Sequence, residues 1–172
     1  MSFLDLTKQR YSCRAFSSRE VEQEKIDDIL EVVRNAPTAR NLQAQYIYVI
    51  KSQEGLVKAK LATPCTYNSP LVFLVCIDMD KVWHSTSEVG VDTADIDGSI
   101  VTTQMALEAF ELGLGSCIVR MFNSKKVQEI FNLPSNIKPI LFLPVGYPAL
   151  KGGEASPRHR DRKKVEEFYK VI

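Results

Sequence analysis

Arginines near both ends of the chain have the types and spacing that point most directly to chemistry. Arg10 and Arg14 flank Ser12 in the stretch RYSCR, and Arg158 and Arg160 alternate in SPRHR. In an extended segment Arg10, Ser12 and Arg14 share one face, and on a helix the two arginines do. The planar guanidinium fork gives two parallel hydrogen bonds to phosphate. The two basic pairs predict one phosphate held from two directions; the alternative is a chance spacing of surface arginines.

The sequence signatures of other kinds of site are missing. Neither GxGxxG nor GxxxxGK[ST] occurs, so a dinucleotide held on a glycine-rich loop is not favoured. The four cysteines contain no CxxC pair, and the two histidines have no second ligand at metal spacing. No metal site is predicted, and His84 and His159, which lie in polar segments, are expected at the surface.

The cysteines are interpreted mainly as structural residues. Cys76 and Cys117 lie in apolar runs and are expected to be buried thiols. Neighbouring arginines favour the thiolate of Cys13. No histidine lies near Cys13 in the sequence to act as its base, so an incidental role is preferred over a nucleophilic one.

A dense run of polar side chains lies in the stretch APTARNLQAQ, residues 36–45. It follows a helix that Pro37 ends and comes just before a strand. Its donors and acceptors are Thr38, Arg40, Asn41 and Gln43. Such a loop at the end of a strand can recognise the edge of a heterocycle by hydrogen bonding. The alternative is an ordinary polar surface loop.

Length, composition and charge are those of an ordinary globular chain. Of the 172 residues, 45% are hydrophobic and 25% charged, and the net charge is +1. A single domain over residues 1–172 is expected, and no overall basic field points to nucleic acid. The run RHRDRKK leaves a phospho-ligand or nucleic-acid module as an alternative. No aromatic residues are interleaved with its charges, which disfavours that alternative. No apolar run of about 20 residues and no signal peptide is found, so a cytoplasmic protein is expected.

Helical and strand patterns alternate along the chain. The expected helices are residues 2–10, 21–34, 53–62 and 97–113, a helix capped by Asn123 or Ser124, and a short final helix. The expected strands are residues 45–51, 70–78, 116–122 and 139–146. The apolar run at 70–78 suits a central strand covered on both faces. The class is therefore α/β or α+β around one sheet.

The longest expected helix, residues 97–113, is apolar on nearly all sides of its middle. A helix of this kind is buried all round. In a chain of this length a second copy could cover one face, so a homodimer is predicted. The alternative is a central core helix in a monomer.

Five stretches in the same order carry a resemblance to a known family. RYSCRAF, APTARNLQAQYIYVI, DIDGSIVTTQMALEAFELGLGSCIV, PVGYP and SPRHR resemble motifs of the nitroreductase family of FMN-dependent enzymes, over residues 5–169. The resemblance implies an α+β fold with a central mixed sheet flanked by helices. It also implies a homodimer with two FMN sites at the interface and a C-terminal tail that extends onto the partner subunit.

The resemblance also implies residue roles. The FMN phosphate, ribityl chain and pyrimidine edge are expected to contact Arg10, Ser12 and Arg14. The phosphate site is expected to be completed by Arg158 and Arg160. The flavin is expected to be approached from the partner subunit by Pro37, Thr38 and Arg40. The edge of the flavin ring is expected to lie near Asn41 and Gln43. Arg120 occupies the position at which many members have a glycine beside flavin N5. At this position a backbone N–H normally makes the contact to N5.

The activity implied is transfer of hydride from NAD(P)H to flavin N5 and on to a nitroaromatic, quinone or similar acceptor, by a ping-pong mechanism. No side chain need act as acid or base, because the flavin carries the chemistry. The alternative is a non-catalytic FMN-binding protein, a sensor or store. The segment between Asp78 and Asp97 is shorter than in members with a helical lid, which implies a pocket that is open or roofed by Trp83.

Overall fold

Five α-helices and four β-strands make up the chain in a computed structural model that describes residues 1–172. The helices are α1 (Phe3–Gln9), α2 (Gln23–Arg34), α3 (Gln53–Ala62), α4 (Ala94–Glu111) and α5 (Ser124–Phe131). The strands are β1 (Gln45–Ile50), β2 (Leu71–Asp78), β3 (Gly115–Ser116) and β4 (Ile137–Gly146). None of the helices has the length and apolar character needed to cross a membrane.

The strands form one sheet in the order β1-β2-β4-β3, and all three pairings are antiparallel. A parallel bridge between Ser12 and Ser116 adds the N-terminal segment beside β3 and makes the sheet mixed at that edge. The apolar run predicted as a central strand is β2, which lies between two neighbours and is buried from Leu71 to Ile77.

Helices cover both faces of the sheet, as α+β architecture requires. Because side chains alternate along a strand, Phe73 and Leu143 point to one face, where α2 and α4 pack, whereas Leu74 and Phe142 point to the other, where α3 and α5 pack. Each of these four side chains is fully buried. Burial of a side chain of this size contributes about 1.5–3 kcal/mol to folding. The predicted fold class is confirmed.

The long helix α4 begins three residues earlier than its pattern predicts. Asp92 accepts a hydrogen bond from the backbone N–H of Ala94 at 2.8 Å, which satisfies a free donor at the helix start. The C-terminal end follows the prediction, because Gly113 has a φ of +76° and Leu114 N–H donates to the carbonyl of Ala109 at 2.8 Å. The residues that α4 buries lie towards α2 and the sheet, while Ile96 remains 59% exposed.

The predicted strand at 116–122 is largely wrong. Only Gly115–Ser116 pairs continuously with β4, and a single further bridge joins Val119 to Phe142. Cys117 N–H donates to the carbonyl oxygen of Pro144 at 3.2 Å, but proline has no N–H to return the bond. The ladder is interrupted at that pair for this reason.

The predicted final helix is also wrong. The C-terminal tail contains only two short 3₁₀ turns, Pro157–Arg160 and Val165–Glu167. Val165, Phe168 and Tyr169 are 58%, 65% and 58% exposed, so the tail packs no apolar face on its own chain. A helix this short has no stability in water without such packing.

A polar cluster joins the start of α2 to the end of the sheet. The Tyr147 hydroxyl donates to the Glu22 carboxylate at 2.7 Å, and Lys25 Nζ donates to the Tyr147 hydroxyl at 3.0 Å and to the Leu112 carbonyl at 2.7 Å. The hydrogen bond from Tyr147, with the N–H of Glu22 itself and the Arg19 guanidinium, lowers the pKa of Glu22 to about 2. The cluster ties α2, α4 and β4 together.

Replacing Tyr147 with phenylalanine is expected to raise the pKa of Glu22 from about 2 towards its ordinary 4.5. A lowered carboxyl pKa contributes stability that is present above the unfolded-state value and is lost as pH falls through the folded value. The loss of stability below pH 4.5 should therefore be shallower in the variant. Carboxyl titration by NMR measures this, with Glu31 as the internal control, because its pKa of about 2 depends on Arg34 and Asn35. An unchanged Glu22 titration contradicts the prediction.

Candidate anion-binding site

A cavity of about 480 Å³ lies where the N-terminal segment meets the C-terminal tail. It is lined by Arg10, Tyr11, Ser12, Arg14, Ser156, Arg158, His159 and Arg162. The two basic segments, nearly 150 positions apart in the sequence, therefore face one space. This convergence was predicted for Arg10, Ser12, Arg14 and Arg158.

The N-terminal segment is held extended against the sheet edge. Cys13 N–H donates to the carbonyl of Ser116 at 2.9 Å, next to the bridge between Ser12 and Ser116. Gly115 permits this approach, because a Cβ there would lie 2.6 Å from Cys13 Cβ. Extended backbone sends Cys13 inward and its two neighbours outward. Of the two conformations predicted for the segment from Arg10 to Arg14, extended and helical, the structure has the extended one.

The tail is fastened to the same segment by several hydrogen bonds. Ala149 N–H donates to the Ala15 carbonyl at 3.0 Å, and the Tyr11 hydroxyl donates to the Gly153 carbonyl at 2.9 Å. Burial is the main cause of a raised pKa for Tyr11, so the phenol stays neutral and remains a donor. Tyr11 thereby holds the start of the basic tail beside Arg10.

The cavity is electrostatically one-sided. Four of its eight lining residues are arginines, namely Arg10, Arg14, Arg158 and Arg162, and none of the eight is a carboxylate. None of these arginines takes part in any of the six ion pairs of the chain. Ser12 and Ser156 add hydroxyl groups. Converging guanidinium forks with no internal counter-charge suit an anion with several oxygens, such as a phosphate monoester.

Two residues of the tail lie in other places than their sequence pattern predicts. Arg160 is not among the residues that line this cavity; it borders an adjoining hollow of about 300 Å³, which shares Ser156 and His159 with the cavity. The reason is the 3₁₀ turn Pro157–Arg160, in which residues two apart point in different directions. His159, expected at the surface, is half-buried and lines the cavity, while Arg162 was missed. The sequence signal was the run RHRDR, which does not tell which of its arginines converge.

Cysteine burial agrees with structural roles. The Cys13 side chain is fully buried and its Sγ donates to the Ala15 carbonyl at 3.2 Å. Burial is the largest cause of the raised pKa of Cys13, and it outweighs the nearby Arg14. Cys76 and Cys117 are buried as predicted, and burial raises the pKa of Cys76 to about 12. Burial raises the pKa of Cys13, Cys76 and Cys117, which disfavours the nucleophilic thiolate at these three positions.

The polar loop at residues 37–43 has an unusual backbone. Arg40, Asn41 and Gln43 have φ values of 52°, 56° and 51°, in the left-handed region that costs non-glycine residues of order 1 kcal/mol or more each. Thr38 Oγ1 accepts from Gln43 N–H at 3.1 Å, and buried Asp97 accepts from Ala39 N–H at 3.1 Å. Asp97, on α4, thus anchors a strained loop whose polar side chains are exposed.

The loop and the cavity lie at opposite ends of α4. Asp97 holds the loop, and Phe110, 13 residues further along the helix, contacts the Tyr11 ring at 6.2 Å between centroids. A rise of 1.5 Å per residue separates these contacts by about 20 Å. The structure therefore does not bring Pro37, Thr38, Arg40, Asn41 or Gln43 to the arginine cavity of their own chain.

Arg120 is also not among the residues that line the cavity. Its guanidinium lies 4.5 Å from the centre of the Phe122 ring, and Nη2 donates to Ser124 Oγ at 3.4 Å, at the start of α5. The segment between β2 and α4 forms a small hairpin, in which the carbonyl oxygen of half-buried Trp83 accepts a hydrogen bond from Thr93 N–H at 3.1 Å. No helical lid is present in that segment.

The fold and the site define an α+β protein with an arginine-lined anion cavity at the edge of its sheet. The model of the nitroreductase family matches residues 7–66 and 57–147. A crystal structure of a nitroreductase family protein from Clostridium difficile 630 is 44% identical, covers 99% of this chain and 98% of that one, and has a TM-score of 0.91. The chain belongs to the nitroreductase family.

Two relatives with described activities are more distant. An NADPH-dependent oxidoreductase of Staphylococcus epidermidis is 25% identical over an alignment of 203 positions, which covers 98% of this chain and 80% of the relative. An FMN reductase of Bacillus subtilis that uses NAD(P)H is 26% identical over an alignment of 183 positions, which covers 95% of this chain and 72% of the relative. Both matches extend over nearly the whole chain.

Proposed function

We propose that the protein is an FMN-dependent NAD(P)H oxidoreductase. The observation that carries this proposal is the convergence of four arginines from two distant segments on one cavity without a carboxylate. That donor set fits a phosphate monoester, the anionic end of FMN. FMN is favoured over FAD because the chain has no glycine-rich loop for a dinucleotide. The NADPH-dependent and FMN-reducing relatives support the same assignment.

The residues that hold the cofactor in this proposal come from two segments. Arg10, Arg158 and Arg162 hold the phosphate, and Ser12 adds a hydroxyl beside it. Arg14, whose Nη1 donates to the Ser12 carbonyl at 3.3 Å, lies on the same face and extends the positive charge along the ligand. When bound, FMN supplies the redox chemistry, accepting hydride from NAD(P)H at N5 and passing it to an acceptor in a ping-pong sequence. The chain itself binds, orients and neutralises charge.

A complete site requires two copies of the chain in this proposal. The strained loop at 37–43 exposes polar side chains about 20 Å from the cavity of its own chain, at the far end of α4. Backbone strain of this kind persists where a loop contacts a ligand. We assign the loop to the partner's FMN, so that Thr38 and Arg40 reach it across a homodimer interface. The exposed apolar residues of the tail fit the same dimer.

The acceptors that suit this site are flat and electron-poor. Nitroaromatics, quinones and similar compounds stack on a flavin and need no acid or base from the protein. The chain lacks a nucleophile with a lowered pKa at the cavity, which agrees with chemistry carried by the cofactor. Because NAD(P)H is the donor, a cytoplasmic location is part of the proposal.

Identification of the bound cofactor tests the proposal. Purified protein, reconstituted with flavin if necessary, should show a flavin absorption spectrum, and heat should release a compound that co-elutes with FMN and not with FAD. Protein that stays colourless and takes up no added FMN contradicts the proposal.

A non-catalytic FMN-binding protein, a sensor or a store, is the second candidate. An anaerobic titration with NADPH separates the two, because an enzyme bleaches its flavin and a storage protein does not. Return of the colour when a quinone is added completes the enzymatic cycle. Ping-pong kinetics require parallel lines in double-reciprocal plots at several acceptor concentrations.

Replacing Cys13 with serine is expected to leave NAD(P)H oxidation with a quinone acceptor close to the wild-type rate. Serine keeps a donor for the Ala15 carbonyl, and the buried thiol has a raised pKa that disfavours a nucleophilic thiolate. Steady-state rates measure this, with Cys76→Ser as a matched control for a buried thiol on β2. Loss of turnover with FMN still bound would give Cys13 a chemical role.

A further inference from the structure

His159 lies between the two segments that line the anion cavity. Its Nε2 is 3.0 Å from the carbonyl oxygen of Lys8, in the last turn of α1, and its Nδ1 is 3.4 Å from Nη2 of Arg162. The Tyr11 ring meets the imidazole edge-to-face, with 6.2 Å between ring centroids. His159 therefore contacts the N-terminal helix, the cavity wall and a cavity arginine at once.

These contacts determine where the imidazole carries its hydrogen. A carbonyl oxygen only accepts, so Nε2 bears the hydrogen and donates to Lys8. A guanidinium only donates, so Nδ1 is the acceptor and Arg162 donates to it. In this arrangement the role of one ring nitrogen is set by the bond that the other makes.

Arg162 is restrained through two of its nitrogens. Nη1 donates to the carbonyl oxygen of Asp161 at 2.8 Å, and Nη2 donates to Nδ1 of His159. The guanidinium has five N–H groups, so three remain for a ligand. No carboxylate pairs with Arg162, and it lines the cavity. A side chain held in advance loses less conformational freedom when it binds.

We propose that His159 is a positioning residue: through its Nδ1 contact it aims Arg162, which the proposed function places at the phosphate. This inference rests on the proposed function, because it concerns the phosphate end of the same FMN site. Within the tail it concerns the arginines that line the cavity, Arg158 and Arg162, whereas Arg160 borders the adjoining hollow. The imidazole needs no contact with the ligand for this role.

Two substitutions separate the contacts of His159. Asparagine carries an oxygen at the δ position, where it can accept from Arg162, but it cannot reach Lys8. Glutamine carries its amide at the ε position, where it can donate to Lys8, but it has no acceptor at δ. A positioning role through Nδ1 predicts that His159→Asn restores what His159→Ala loses, while His159→Gln does not.

Binding of two ligands by these variants tests the proposal: FMN, and riboflavin, which lacks the phosphate. Loss of the contact to Arg162 should weaken FMN binding by about 2- to 10-fold in His159→Gln and His159→Ala, the range expected for one net hydrogen bond. Riboflavin affinity should be unchanged in all three variants, which also shows that the site remains folded. In an Arg162→Ala background, His159→Gln should cause no further loss of FMN affinity.

Each alternative outcome has a definite meaning in flavin-fluorescence titrations. Equal FMN affinity of His159→Gln and the wild type, or equal losses in His159→Gln and His159→Asn, overturns the positioning role. A parallel loss of riboflavin and FMN affinity shows a merely structural histidine and also overturns it. Wild-type FMN affinity in Arg162→Ala overturns the assignment of Arg162. A wild-type protein that binds no FMN overturns the proposed function together with this inference, which distinguishes the two failures.

Discussion

Replacing either Arg10 or Arg158 with alanine is expected to weaken FMN binding by about 10- to 150-fold, because a charge-assisted hydrogen bond contributes about 1.5–3 kcal/mol. Both side chains line the same cavity, one from the N-terminal segment and one from the tail. Because they are proposed to share one phosphate, the double variant should depart from additivity. Titration of apoprotein with FMN at a fixed salt concentration measures all three affinities.

The chain offers a matched control for this experiment. Arg160 lies in the same 3₁₀ turn as Arg158 but borders the adjoining hollow and does not line the cavity itself, so Arg160→Ala should bind FMN nearly as well as the wild type. Riboflavin binding should respond little to any of these changes, because it lacks the phosphate. Wild-type affinity in Arg10→Ala or Arg158→Ala, or strict additivity of the pair, counts against a shared phosphate site.

Truncation after Leu150 is expected to remove FMN binding and to weaken the dimer in one step. The deleted tail carries Arg158 and Arg162, and it also carries Phe168 and Tyr169, which are 65% and 58% exposed on their own chain. In the proposed dimer the partner subunit covers these apolar residues. Light scattering and the ratio of flavin to protein, measured on the same samples, report the two effects.

A second variant separates the two roles of the tail. Replacing Val165, Phe168 and Tyr169 with serine keeps every arginine of the cavity but removes the apolar contacts. The dimer should weaken in this variant, and FMN content should fall only as far as the dimer is lost. A full-length protein that is a stable monomer at micromolar concentration and holds FMN contradicts the two-chain site.

Elements with strong local signals were predictable from the sequence. Helix α3 occupies residues 53–62 as expected, because Ser52 accepts from Gly55 N–H at its start and Pro64 follows its end. Of the two caps predicted for α5, Asn123 and Ser124, the structure has Asn123, whose side chain accepts from Lys126 N–H at 3.1 Å. The convergence of Arg10, Arg14 and Arg158 was also predictable, because their types and spacing suit one phosphate.

Features that depend on distant partners were not predictable. The end of β3 depends on Pro144 of another strand, which has no N–H to donate to Cys117. Arg162 lines the cavity and Arg160 does not, and this placement depends on a 3₁₀ turn and on the contact between His159 and Lys8, in a helix about 150 positions earlier. Such outcomes are decided by tertiary contacts, which a local pattern of charges or apolar residues does not encode.

Helix α4 acts as a spacer, and its length is a constraint separate from its composition. One end holds the loop at residues 37–43 through Asp97, and the other meets Tyr11 through Phe110. One inserted residue would rotate everything beyond it by about 100° and shift it by about 1.5 Å. Both contacts could not then be kept at once. The helix can therefore accept substitutions on its exposed side, where Ile96 lies, but insertions and deletions within it should be excluded in any working homologue or redesign.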